Sequence, residues 1–256
     1  MPIGGRIHQR FAVAALVAVG VVGSATTADA RAPRSREVAS ADSTESRAAR
    51  AIHRAQAVCT RDARRRARHL DALAVEIGAN RRLHDPHRDA LAVLVDEARR
   101  DLDAQVARIA TATTMAALRQ PCLVVQDRRP IRFLERQFRF VARLDRIETR
   151  HSVLGARLDD LGAALTLAGI ADADAIVAEL RIRLEMVDVA GIADVVLGMT
   201  VDDLADGAGG ADYLVEVRAR IEIARDALSD VADGIDAQLA MLEALAGDNG
   251  GGAEIT

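Results

Sequence analysis

Residues 131–169 read IRFLERQFRFVARLDRIETRHSVLGARLDDLGAALTLAG. Phe133, Gln137, Phe140, Leu144, Ile147, His151, Leu154, Leu158, Leu161 and Leu165 follow a 4-3 alternation without a slip. That spacing places side chains on one stripe of an α-helix and marks a helix packed lengthwise on other helices. At about 1.5 Å per residue the helix spans about 57 Å, so other helices must lie along it. Beside the stripe, Arg132, Arg136, Arg139, Arg143, Arg146, Arg150 and Arg157 keep nearly the same spacing, which makes one flank a ladder of guanidinium groups.

The segments on either side carry the same helical period. A first helix is predicted from about Thr44 to Ile77, with Ile52, Gln56, Cys59, Ala63, Leu70, Leu73 and Ile77 facing inward and Gly78 as its C-cap. Asp85-Pro86 predicts a restart, the carboxylate capping free amides and the proline fitting the first turn. The second helix runs through Leu91, Val95, Ala98, Leu102 and Ile109. A third begins near Thr114, carries Met115, Leu118, Cys122 and Val125 on one face, and is disturbed by Pro121. Beyond Gly169, a fifth helix is expected from Asp172 through Leu180, Leu184, Val187 and Val195 to Gly198, and then a loop over Met199–Gly210. The last helix places Leu214, Val217, Ile221, Ala224, Leu228, Val231, Ile235, Leu242 and Leu245 on a second seam, interrupted by Gln238. The expected fold is all-α: an elongated antiparallel helical bundle of five to six helices with coiled-coil-like packing.

The amino terminus predicts export. Arg6, His8 and Arg10 precede the apolar run Phe11–Val22, and Ala28-Asp29-Ala30 is a small-x-small cleavage site, so residues 1–30 are read as a signal peptide. The expected division is then a disordered leader over 31–43, one helical-bundle domain over 44–246 and a flexible tail over 247–256. No transmembrane segment is expected after cleavage, the alternative being an uncleaved anchor extending to Ala28, and the mature chain is expected in the secreted or envelope-associated fraction. Cys59 and Cys122 are the only two cysteines, an even count suited to an oxidising compartment. Both fall on inward-facing stripes. A structural bridge is the prediction, with two separate buried thiols as the alternative.

All 34 basic residues are arginine, and the net charge is −4. The charge is unevenly divided: 27 arginines against 16 acids between Arg31 and Arg157, then 5 against 21 from Leu158 onward. Glu222, Asp226, Asp230, Asp233 and Asp236 recur along the last helix and would lie opposite the ladder if the two seams pack together, so the ladder reads first as an ion-paired or solvated face. A free ladder would instead bind an anionic polymer, with Arg132, Arg136, Arg139, Arg143, Arg146 and Arg150 as contacts. Specific nucleic-acid binding is not predicted, because no exposed aromatics accompany the ladder.

His84-Asp85-Pro86-His87 sets two imidazoles close together, yet the Asp and Pro are explained by capping, so no metal is assigned. His53, His69 and His151 stand singly on helices, and Asp202-Asp203 sits in a loop without a partner base. No phosphate loop, G-x-S-x-G elbow or H-E-x-x-H pair occurs. No catalytic residue or cofactor is therefore assigned, and a non-enzymatic protein is expected.

The pattern around the cysteines resembles a family. A basic helix after Cys59 with Leu70-Asp71-Ala72-Leu73, then Leu83-His84-Asp85-Pro86-His87-Arg88-Asp89-Ala90-Leu91, then Leu118-Arg119-Gln120-Pro121-Cys122, is similar to exported all-helical proteins of actinobacteria of unassigned function. The likeness spans most of the mature chain and implies helices and export. It departs after Cys122, where Asp127-Arg128-Arg129-Pro130 replaces expected tyrosines, and it brings no binding role. The functional expectation is an exported structural or interaction protein of the cell envelope, acting on an envelope protein or on itself; the alternative is a polyanion-binding module.

Overall fold

The computed structural model describes residues 34–204 and 209–250, with side chains from 45 to 204 and from 209 to 246. Among them the chain is all-α, with no strand. The helices are α1 (Arg34–Ala79), α2 (Asp85–Thr111), α3 (Met115–Gln126), α4 (Arg129–Leu167), α5 (Ala173–Glu185), α6 (Ile192–Gly198) and α7 (Gly210–Gly250), with a 3-10 turn at Asp202–Leu204. Residues from Arg47 onward form one compact unit, and the packing below concerns that unit.

The long helix read from the sequence is α4, and it organises the bundle by packing on α2, α5, α6 and α7. Pro130 lies in its first turn, where a missing N–H costs nothing. Gly169, at φ +71°, ends it: the Ile170 N–H donates to the Leu165 carbonyl at 3.1 Å, the six-to-one bond of a Schellman turn. Of the predicted seam, Phe133, Gln137, Leu144, Ile147, Leu154, Leu158, Leu161 and Leu165 are buried, while Phe140 and His151 are half-buried. A second stripe, Ile131, Leu134, Phe138, Val141 and Asp145, is buried as well. This helix is therefore covered on two sides.

Helix α1 is tied to the others by side chains. The Gln56 amide donates to the carbonyls of Ile109 and Ala112 at the end of α2, and Arg66 donates to those of Val124 and Val125 at the end of α3. His69 pairs with Glu135 on α4. The predicted disulfide is present, Cys59 to Cys122, with Sγ–Sγ 2.01 Å and Cα–Cα 5.4 Å. Cys59 is buried, whereas Cys122 is half-buried and Met115 exposed, so the inward face of α3 is carried by Leu118, Pro121 and Val125.

Several expectations are corrected. The all-α bundle is the expected one, but the expected fifth helix, Asp172 to Gly198, is divided into α5 and α6. Between α5 and α6, Val187 and Val189 are both buried and Gly191 takes φ +71°. Two β-branched residues two apart cannot share a helix face, and burying both calls for an extended link. The first helix starts at Arg34, ten residues earlier than the expected leader boundary. No Pro or Gly lies between Arg34 and Ile77, and extending an existing helix costs far less than starting one. The low cost of extension also carries α7 to Gly250, into the expected tail and past Gly234 and Gly247, although its seam loosens past Ile235: Leu242 is half-buried and Leu245 exposed. The predicted signal peptide and residues 251–256 lie outside the described residues. Among those described, no helix is long and apolar enough to cross a membrane.

Candidate functional site: an arginine-lined groove

The ladder arginines Arg132, Arg136, Arg139, Arg143, Arg146 and Arg150 are all exposed. None of the six forms an ion pair or side-chain hydrogen bond among the described residues. The expected pairing with the acidic residues of α7 occurs once, between Arg157 and Asp236 at 2.6 Å. Elsewhere the ladder is not neutralised. The physical reason is rotational: the face of α7 that meets α4 is the apolar seam Leu214, Ile221 and Leu228, and the residues flanking that seam on the ladder's side are Arg218 and Arg225.

Two adjoining clefts follow the α4–α7 line. One, of about 630 Å³, is lined by Arg136, Arg139, Arg143 and Arg218 around Phe140, Leu214 and Val215. The other, of about 580 Å³, is lined by Arg143, Arg146, Arg150, Arg218 and Arg225 over Ile147, Ile221 and Leu228. Arg143 and Arg218 belong to both, so they form one continuous groove. Seven guanidinium groups stand along it against a single acid, Glu222, which is engaged by Arg218 at 3.1 Å. Five of the six predicted contacts line the groove; Arg132 stands outside it.

The sequence reading missed Arg218 and Arg225, since they lie in the acidic half of the chain. Their signal was the seven-residue spacing between them, the same period as the Leu214–Ile221–Leu228 seam, which fixes them on one flank. Placing like charges side by side is unfavourable unless an anion or solvent ions sit among them. A concave row of cations above an apolar floor is suited to an extended anion with several phosphate, sulfate or carboxylate groups, because a guanidinium can bind such groups in a bidentate fork.

The residues set aside at the start of α2 are also brought together with a partner from α4. Asp145, wholly buried, accepts the His84 backbone N–H at 2.7 Å through Oδ2 and lies 2.6 Å from His87 Nδ1 through Oδ1. Asp85 is not the capping residue: His84 occupies the N-cap position, and Asp85 pairs with Arg88. In the 3-10 turn, Asp203 accepts the Thr200 N–H at 2.6 Å and its hydroxyl at 2.8 Å, and these bonds hold its carboxyl below the ordinary carboxylate range. Asp202-Asp203 is thus a turn-forming pair.

No protein-family model matches this chain, and no match is found among curated proteins or solved structures.

Proposed function

We propose that the protein is an exported, non-enzymatic helical binding module whose α4–α7 groove takes an anionic polymer of the cell envelope. The observation that carries this reading is the row of guanidinium groups from two helices facing one groove with no acidic counterpart beyond Glu222. The chain as a whole is negative, so its net charge would not draw it to a polyanion. Any such binding must come from a local field. The predicted signal peptide and the disulfide support a place outside the cytoplasm, and an envelope polymer carrying many phosphates offers the repeated anionic groups that a row of guanidinium groups can bind.

The test uses poly(glycerol phosphate) as probe and two charge-matched variants. In one, Arg139, Arg143, Arg146 and Arg150 become Gln; in the other, the exposed Arg61, Arg64, Arg65 and Arg68 of α1 become Gln. Wild type and the α1 variant are expected to bind at about 50 mM salt and to release at about 500 mM, since each contact displaces counterions. The groove variant is expected to lose at least tenfold in affinity. Equal loss in both variants, or no binding by wild type at low salt, would overturn the reading.

A further inference from the structure

We propose that His84, His87, Asp145 and Glu148 form a binding site for a divalent transition-metal ion of the Zn2+ class, at the junction of α2, α4 and α6. His84 precedes α2 in an extended conformation (φ −65°, ψ 144°), so its ring lies beside that of His87, one turn along, with centroids 5.9 Å apart and planes inclined by 23°. Both Nδ1 atoms face one oxygen: Asp145 Oδ1 is 2.6 Å from that of His87 and 3.7 Å from that of His84. One ligand atom from each of these three residues lies within 4.8 Å of the other two. Glu148, one helical turn beyond Asp145, brings Oε2 to 3.4 Å from His84 Nδ1.

The outer nitrogen of each ring has an oxygen near it. His87 Nε2 lies 3.5 Å from Asp194 of α6, and His84 Nε2 lies 3.4 Å from the Thr149 hydroxyl. A ring that donates from Nε2 presents its Nδ1 lone pair inward, and two lone pairs then converge on a carboxylate oxygen. Metal-ligating histidines are held in this way by a carboxylate or other oxygen at the far nitrogen. The converging electron density is matched by a cation at its centre. Asp145 strengthens the case because it is wholly buried and, among the described residues, has only the two histidines as side-chain partners, with no guanidinium paired to it. The nearby Arg88 is occupied by Asp85 and by the Asn80 and Leu83 carbonyls.

Metal–ligand distances of about 2.0–2.2 Å put donor atoms about 3.3 Å apart around a tetrahedral Zn2+. The separations of 3.4 and 3.7 Å to His84 are close to that, and the 2.6 Å separation at His87 would open slightly on binding. His84, His87 and Asp145 supply three converging ligand atoms, and Glu148, placed beside His84, would turn inward as the fourth to give a net neutral site with Zn2+. Such an ion would join the start of α2 to the middle of α4 and, through Asp194, to α6.

The experiment is equilibrium dialysis of the EDTA-stripped full chain against Zn2+, with Co2+ absorption as the geometric readout. One tightly held Zn2+ per chain is expected, together with the visible bands of tetrahedral Co2+. His84→Gln and Glu148→Gln, both at side chains partly open to solvent, are expected to raise the Kd at least tenfold and abolish the Co2+ bands. Asp194→Asn is expected to weaken binding by about 10–100-fold through the orientation of His87. Circular dichroism on each variant separates loss of ligand from loss of fold. Absence of stoichiometric binding by the wild type, or binding unchanged in folded His84→Gln and Glu148→Gln, would overturn the proposal; a plain His87–Asp145 hydrogen bond gives the first of these results.

Discussion

Gln137 and Gln56 look like flaws when the seams are read as a hydrophobic pattern, and the structure gives them a job. Gln137 is buried on α4, and its amide donates to the carbonyls of Val196 at 2.9 Å and Met199 at 3.0 Å, at the end of α6. A helix leaves its last four carbonyls without intrahelical partners, and burying them unpaired is costly. Gln137→Leu, which keeps the volume, is therefore expected to lower stability by about 1–3 kcal/mol, read from the urea midpoint at unchanged slope. Their positions could be read from the sequence; their partners could not, because a partner 59 residues away is set by tertiary packing. Arg66 does the same for α3 and is half-buried in doing so, and burial pulls its pKa down against the opposing pull of Asp127. Asp127 is itself held below the usual carboxylate range, first by the Arg129 side chain and then by its backbone N–H. A depressed carboxyl contributes stability above its unfolded value of about 3.9, and that contribution fades as pH falls through the folded value. Asp127→Asn should thus be less stable than wild type near pH 6, with the two denaturation midpoints converging as pH drops below about 3; a gap that persists into acid would point to lost packing instead.

At the scale of elements, α4 was legible because both its ends carry punctuation and its seam runs ten positions without a slip. The second stripe was equally periodic: from Ile131 through Leu134, Phe138 and Val141 the next step is Asp145. A carboxylate in a buried register is the signal that would have linked α4 to the two histidines of α2. The α5–α6 break was harder to see, since the apolar spacing fits one helix almost as well as two. Glycines differ in what they tolerate. A methyl group at Gly155, within α4, would meet nothing nearer than Leu184 at 3.9 Å, so Gly155→Ala is expected to raise stability by up to about 1 kcal/mol through helix propensity. At Gly210 it would lie 2.2 Å from the Asp203 carbonyl oxygen, a backbone atom that cannot swing aside. Gly210→Ala is expected to cost about 1–3 kcal/mol, and thermal melts of the pair should move in opposite directions.

At the scale of the molecule, the chain sorts its charge by segment yet, among the described residues, matches it across the α4–α7 contact only at Arg157 and Asp236. The expectation of acids opposite the ladder rested on bulk composition, and composition says nothing about which face of α7 turns inward. The two cysteines were legible because both fell on apolar stripes. Their bridge closes a separation of 63 residues, so loop entropy sets an upper bound of roughly 4 kcal/mol on what it contributes. Reduction, or a Cys59→Ala/Cys122→Ala double variant, should lower the unfolding free energy by about 2–4 kcal/mol while leaving the helical content intact. A midpoint that does not shift would mean that the α1–α3 contact persists in the unfolded chain.

Helices usually close their own ends, and here two of them share that task with a neighbour: the Thr111 hydroxyl serves the Arg108 carbonyl of α2 and the Asp127 N–H the Leu123 carbonyl of α3. The final carbonyls of α2 and α3 are closed off by Gln56 and Arg66, which both belong to α1 and flank the Cys59 bridge on either side. The α2–α3 pair is therefore not a transplantable part. Moved to another scaffold without α1, its helices would keep their own caps but leave the carbonyls of Ala112, Val124 and Val125 to new neighbours or to water. Helix α1 acts as a ruler for the two helices that follow it in the chain.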